Sequence, residues 1–153
     1  MRTLLATAVA FLLVLFQAQT ALSANLVAKV SLSSQTMIVT QNGVVKYRWR
    51  VSTGRKGYGT PTGSWSAKWV SRNHRSRKYN NAPMPFAVFF KGGYAVHATY
   101  ETKRLGRPAS HGCVRLPNDF AKTLFSVTRR GGHVLITDRE AAPQRIVHEA
   151  LFK

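Results

Sequence analysis

The chain is poor in acids, almost without cysteine and, past its first two dozen residues, lacks any long apolar run. Five Asp and Glu stand against 23 Lys and Arg in 153 residues, a formal net charge of +18. Such a field favours anionic partners and steers them by long-range attraction. One cysteine, Cys113, excludes an internal disulfide. In a chain that begins like an exported protein, a thiol without a partner is a candidate reactive group. No CxxC or HxxxH spacing accompanies it, so no metal site is expected. Repeats and low-complexity tracts are also absent, which argues against a solenoid or a linker-rich chain.

What the amino terminus does contain is a leader pattern. Arg2 and the terminal amine precede an uncharged run from Leu4 to Phe16. That run is shorter than the roughly 20 residues a membrane span needs. Ala21-x-Ser23 is a small-x-small cleavage signal, and a cut after Ala24 also fits. Residues 1–24 therefore read as a cleaved secretory signal, with no transmembrane span expected in the mature protein. Export makes nucleic acid an unexpected partner. A bacterial envelope offers an anionic glycan-peptide polymer and phosphate-rich lipid surfaces instead, and charge alone does not choose between them.

Residues 25–137 read as one mainly β domain, a sandwich-like fold with one short helix after the cysteine. Leu26 to Leu32, Thr36 to Thr40 and Val44 to Val51 have strand character, and Asn42-Gly43 marks a hairpin between the last two. Glycines and Pro61 keep residues 54–63 a loop. Ser64 to Val70 alternates like a single strand, and the basic stretch Arg72 to Lys78 reads as a loop suited to an anionic partner. Phe86 to Phe90 is apolar on both faces, as a central strand would be, and Tyr94 to Ala98 follows a Gly-Gly turn. Pro117-Asn118-Asp119 opens a helix, and His133 to Thr137 reads as a last strand. Residues 138–153 form a tail, either a short helix or disordered.

A thiol attacks as its thiolate, so Cys113 needs a base or a positive environment. His74, His97, His111, His133 and His148 are the imidazoles available. His97 sits near a strand end, and the connection from Thr99 to Ser110 can return the chain so that it faces Cys113. His111 lies two residues from Cys113 and points the same way in an extended segment, so it too can line the pocket. The Gly112 and Cys113 amides are candidate oxyanion donors. Arg115 offers a fixed charge for a substrate carboxylate. His133 and His148 receive no role.

His97, followed by Ser110-His111-Gly112-Cys113-Val114-Arg115-Leu116, resembles the L,D-transpeptidase catalytic domain (YkuD type) of bacterial cell-wall enzymes. Val51-Ser52-Thr53-Gly54, Thr60-Pro61-Thr62-Gly63 and Leu105-Gly106-Arg107-Pro108-Ala109 add to the likeness, which spans Leu26 to Ile136. The resemblance implies a cysteine acyltransferase without cofactor. Cys113 is then the nucleophile and His97 the base, oriented by the Ala98 carbonyl, while Ser110, His111, Gly112 and Arg115 shape the substrate and oxyanion site. The substrate implied is a peptidoglycan tetrapeptide stem, and the product a 3→3 cross-link. Water or an amine of an outer-membrane protein are alternative acceptors, and a non-catalytic cationic wall-binding protein is the reading from another class. The sequence departs from many members at Ala98, where they have glycine, and at Arg115, where many have asparagine and others arginine.

Overall fold

The structure, a computed structural model, describes residues 26–128 and 132–137. The proposed leader and the tail from Asp138 lie outside the described residues. Two sheets and a helix enclose one principal core. The first sheet contains β1 (Leu26–Ser31), β2 (Thr36–Gln41), β3 (Val44–Arg50), β4 (Gly63–Ser66) and β9 (His133–Thr137), in the order β3-β2-β1-β9-β4. The second contains β5 (Trp69–Ser76), β6 (Ala82–Lys91), β7 (Tyr94–Ala98) and β8 (Val114–Leu116) in sequential order. Pairing is antiparallel except for β1 with β9 and β7 with β8. Helix α1 (Asn118–Thr128) follows Pro117, carries Asp119 in its first turn, and buries Ala121, Leu124 and Phe125. The first-turn carboxylate complements the helix dipole.

Local chemistry accounts for several of these elements. Asn42 and Gly43 both adopt positive φ (52° and 78°), the pair of left-handed conformations that a two-residue hairpin turn demands. In β6, Phe90 packs in the principal core with Val96, Ala98, Val114 and Leu116, and Val88 is buried opposite Val96, whereas Ala87 and Phe89 are buried in a second cluster on the sheet's outer face. The second sheet is thus apolar on both faces, as the Phe86–Phe90 run requires. Its outward cluster of Met84, Ala87, Phe89 and Ala95 also takes Cys113 against its edge.

Two sequence expectations are corrected. Ser64 to Val70 is not one strand, because the chain changes sheets within it. The Ala67 amide bonds to the Gly132 carbonyl, and the next amide, of Lys68, bonds to the Phe89 carbonyl in the second sheet. Alternation continues through the crossing, so the pattern conceals it. Arg72 to Lys78 is not a loop either. Residues up to Ser76 complete β5, paired to β6 as far as Ser76 opposite Ala82. Asn80 and Asn81, both at positive φ, close the hairpin, with the Ala82 amide donating to the Tyr79 carbonyl.

Candidate active site

The parallel pairing of β7 with β8 sets His97 opposite Arg115. Side chains two residues apart on a strand share a face, so Cys113, just before β8, comes to the same side as Arg115 and His97. A strand spacing of about 4.8 Å and a rise of about 3.3 Å per residue put the His97 and Cys113 backbones about 8 Å apart on the diagonal. That separation suits side chains reaching toward each other. Both line one pocket of about 510 Å³, together with Ser110, His111 and Arg115.

The loop bearing Cys113 is held by residues 52–55 and by Thr60. Ser52 and Arg115 exchange both backbone hydrogen bonds (3.1 and 2.8 Å), and the Ser110 amide donates to Thr53 while the Arg55 amide donates to Ser110. Thr53 is in turn clamped by buried Gln35. Its Oε1 accepts from the Thr53 amide at 2.9 Å, and its Nε2 donates to Thr53 Oγ1 (2.6 Å) and to the Leu32 carbonyl (2.7 Å). From the other side, Thr60 Oγ1 donates to the Gly112 carbonyl at 2.7 Å. Gly112 itself stands at φ +109°, and a Cβ there would lie 2.5 Å from the Tyr94 ring. Only glycine fits.

Ser110 closes the turn around the thiol. Its Oγ donates to the Cys113 carbonyl (2.6 Å) and accepts from the Gly112 amide (3.0 Å). Of the two expected oxyanion donors, the Gly112 N–H is therefore engaged by Ser110.

His97 is buried, and its Nδ1 lies 2.7 Å from the Ala98 carbonyl oxygen. A carbonyl can only accept, so Nδ1 carries the proton and Nε2 keeps its lone pair. Burial first, and then the charge of Arg115, lower the His97 pKa to about 4 against the pull of the Ala98 bond. Burial also raises the Cys113 thiol above its ordinary value, although the Ala95 backbone and Arg115 oppose that shift. The resting pair at neutral pH is thus a neutral imidazole beside a neutral thiol, not a preformed ion pair.

His111 is held differently. Tyr79 stacks on its ring at 4.3 Å, Tyr58 meets it edge-on at 4.6 Å, and Arg55 Nη2 lies 2.8 Å from His111 Nε2. A guanidinium only donates, so His111 Nε2 is an acceptor already in use. Burial and then the neighbouring Arg55, Arg115 and Lys78 hold this imidazole's pKa below its ordinary value.

The family model for the L,D-transpeptidase catalytic domain matches residues 25–136. The chain belongs to that family. It is 30% identical over 118 residues to YqjB of Bacillus subtilis, named as a candidate L,D-transpeptidase, covering 67% of each chain. An L,D-transpeptidase crystal structure from Stackebrandtia nassauensis superposes with a TM-score of 0.68 at 29% identity, covering 80% of this chain and 59% of that one. An L,D-transpeptidase from Mycobacterium smegmatis shares the fold with a TM-score of 0.69 at 22% identity, over 74% of this chain and 59% of its own. The chain thus spans about three-fifths of these solved structures.

The pocket of this L,D-transpeptidase domain also contains residues that sequence reasoning missed. The β5–β6 hairpin lines it with Tyr79, Asn80 and Met84, and with Ser76 and Lys78 from the basic stretch read as a loop. Strict alternation would set Met84 and Ala87 on opposite faces. The positive φ of Phe86 (53°) reverses the alternation, and both join the outward cluster. Phe86 is not a glycine, so no residue type announces the reversal. Glu101 is the second omission. It lines the pocket and accepts from Arg115 Nη1 at 2.9 Å. Its only sequence signal is rarity, as one of five acids. His74 packs against Trp69 and Phe89 rather than lining the pocket. No three metal-ligating side chains cluster among the described residues, and no helix among them is long and apolar enough to cross a membrane.

Proposed function

We propose that this domain is a peptidoglycan L,D-transpeptidase in which Cys113 carries the acyl group and His97 moves the proton. The observation that supports this reading best is the Nδ1–Ala98 bond of His97, which leaves Nε2 as a proton acceptor in the same pocket as the thiol. As the substrate approaches, Nε2 takes the thiol proton and Sγ attacks the carbonyl carbon of the third residue of a tetrapeptide stem. The Cys113 amide serves the developing oxyanion. The imidazolium returns its proton to the departing amine, D-alanine leaves, and a thioester remains on Sγ. An amine of a second stem then gives its proton to Nε2 as it attacks the thioester carbon. The C–S bond breaks, the thiol is re-protonated, and a 3→3 cross-link results.

In this reading Ser110 and Gly112 shape the nucleophile turn, His111 braces the wall beside it, and Arg115 meets a carboxylate of the stem. The chain acts after export, in the periplasm, and its excess of basic residues holds it to the anionic wall. The test is intact mass after exposure to a carbapenem, together with D-alanine release from purified tetrapeptide muropeptides. The wild type should gain one adduct and release D-alanine, and Cys113→Ala should do neither. Release of D-alanine by Cys113→Ala would overturn the mechanism.

A further inference from the structure

Within a strongly cationic chain, the pocket holds one carboxylate among its lining residues, Glu101, and that carboxylate is bound to the pocket's own arginine. Arg115 Nη1 donates to Glu101 Oε2 at 2.9 Å, with the Arg115 side chain 20% exposed and Glu101 54% exposed. Glu101 Oε2 also lies 3.7 Å from Arg104 Nε. Glu101 stands three residues beyond the end of β7, its amide held by Thr99 Oγ1 at 3.1 Å and its carbonyl accepting from the Arg104 amide. The backbone fixes where the residue starts, while its carboxylate stays largely in water. An ion pair whose carboxylate stands this far into water contributes little and is readily exchanged.

Arg115 is also the direct register neighbour of His97. In the proposed reaction, His97 returns a proton to the departing amine and takes one from the incoming amine. A D-amino acid leaving through that position carries its α-carboxylate one carbon from the amine. A carboxylate so placed reaches the residue beside His97, and that residue is Arg115. Arginine presents several donors in a planar fork suited to a carboxylate, and Glu101 engages one of them.

We propose that Glu101 is a specificity-determining residue that occupies Arg115 in place of the substrate's terminal carboxylate and is displaced when that carboxylate enters. This inference rests on the transpeptidase reading and deepens it. The pocket then favours stems ending in a free α-carboxylate, and Glu101 sets how strongly. Emptying Arg115 of its internal partner should help a carboxylate ligand and leave a carboxamide ligand unaffected. A purely structural role for Glu101 would move both ligands together. A role in attracting an ammonium group would weaken both.

The experiment is equilibrium binding of two synthetic tetrapeptide stems, one with a free C-terminal carboxylate and one with a C-terminal carboxamide. Both are measured on Cys113→Ala and on Cys113→Ala/Glu101→Gln, where no turnover interferes. Glu101→Gln should tighten the free-acid peptide about two- to fivefold, the fold-change expected on releasing a half-exposed ion pair, with the carboxamide unchanged. An unchanged ratio of acid to carboxamide affinity, or equal shifts for both, would overturn the proposal. If neither peptide binds any variant, the proposal falls together with its donor assignment. A preserved shift in that ratio beside a wild-type enzyme that releases no D-alanine would strike only the transfer reading.

Discussion

Acidification probes His97 in two independent ways, because its pKa stands near 4 in the folded protein against 6.5 for a free imidazole. The unfolded chain binds the His97 proton below pH 6.5, whereas the folded chain does so only near 4. Between those values the unfolded state holds more protons, so stability rises with pH across that window and is lost as pH falls through it. A difference of 2.5 pKa units corresponds to about 3 kcal/mol in full, of which about 2 kcal/mol is lost between pH 7 and pH 4.5. Carboxylates titrate in the same range, so the measurement is a difference. Urea unfolding at both pH values should show a smaller acid loss in His97→Gln than in the wild type, by about 2 kcal/mol. The same depression predicts that the acid limb of Cys113 acylation by a carbapenem falls near pH 4. An acid limb near 6.5, together with equal acid destabilisation of wild type and His97→Gln, would refute the buried neutral imidazole and the base role built on it.

Two further substitutions test how the nucleophile turn is held. Gly112→Ala forces a Cβ against Tyr94 at a backbone angle that L-residues rarely adopt. It should cost about 2–3 kcal/mol in a denaturant titration and slow Cys113 acylation at least about tenfold. Gln35→Leu strips three hydrogen bonds from the buried Leu32 and Thr53 segments. It should destabilise by about 2–4 kcal/mol, and it should slow acylation of the fraction that remains folded, because Thr53 carries Ser110. A folded Gln35→Leu variant with wild-type acylation would show that the clamp serves the fold alone.

Which features were legible in the sequence follows from where their causes lie. Asn42-Gly43 is readable because the turn's demand for positive φ is met by the two residues that make it. The Phe86–Phe90 run is readable because burial on both faces leaves a composition without alternation. The break between β4 and β5 is not, since it is fixed by what Gly132 and Phe89 offer to two successive amides. The basic stretch after Trp69 misleads for a related reason. Charge resembles a loop, yet β5 is an edge strand, and exposed edge positions tolerate basic side chains without losing their pairing. The consequence reaches the site, because that hairpin lines the pocket and the side that Met84 faces depends on the reversal at Phe86.

The choice between the two imidazoles nearest the thiol turns on which nitrogen is occupied and by what. A histidine acts as a base only through an unprotonated nitrogen that no donor has already claimed. At His97, the Ala98 carbonyl takes the proton-bearing Nδ1 and so leaves the lone pair on Nε2 of a residue that lines the pocket. At His111, the Arg55 guanidinium takes the lone pair of Nε2, and the tautomer this imposes leaves Nδ1 protonated. Sequence proximity favours His111, whereas hydrogen-bond polarity favours His97. The proposed mechanism follows polarity, because a donor beside a lone pair removes a base, whereas an acceptor beside an N–H leaves the other nitrogen free to act as one.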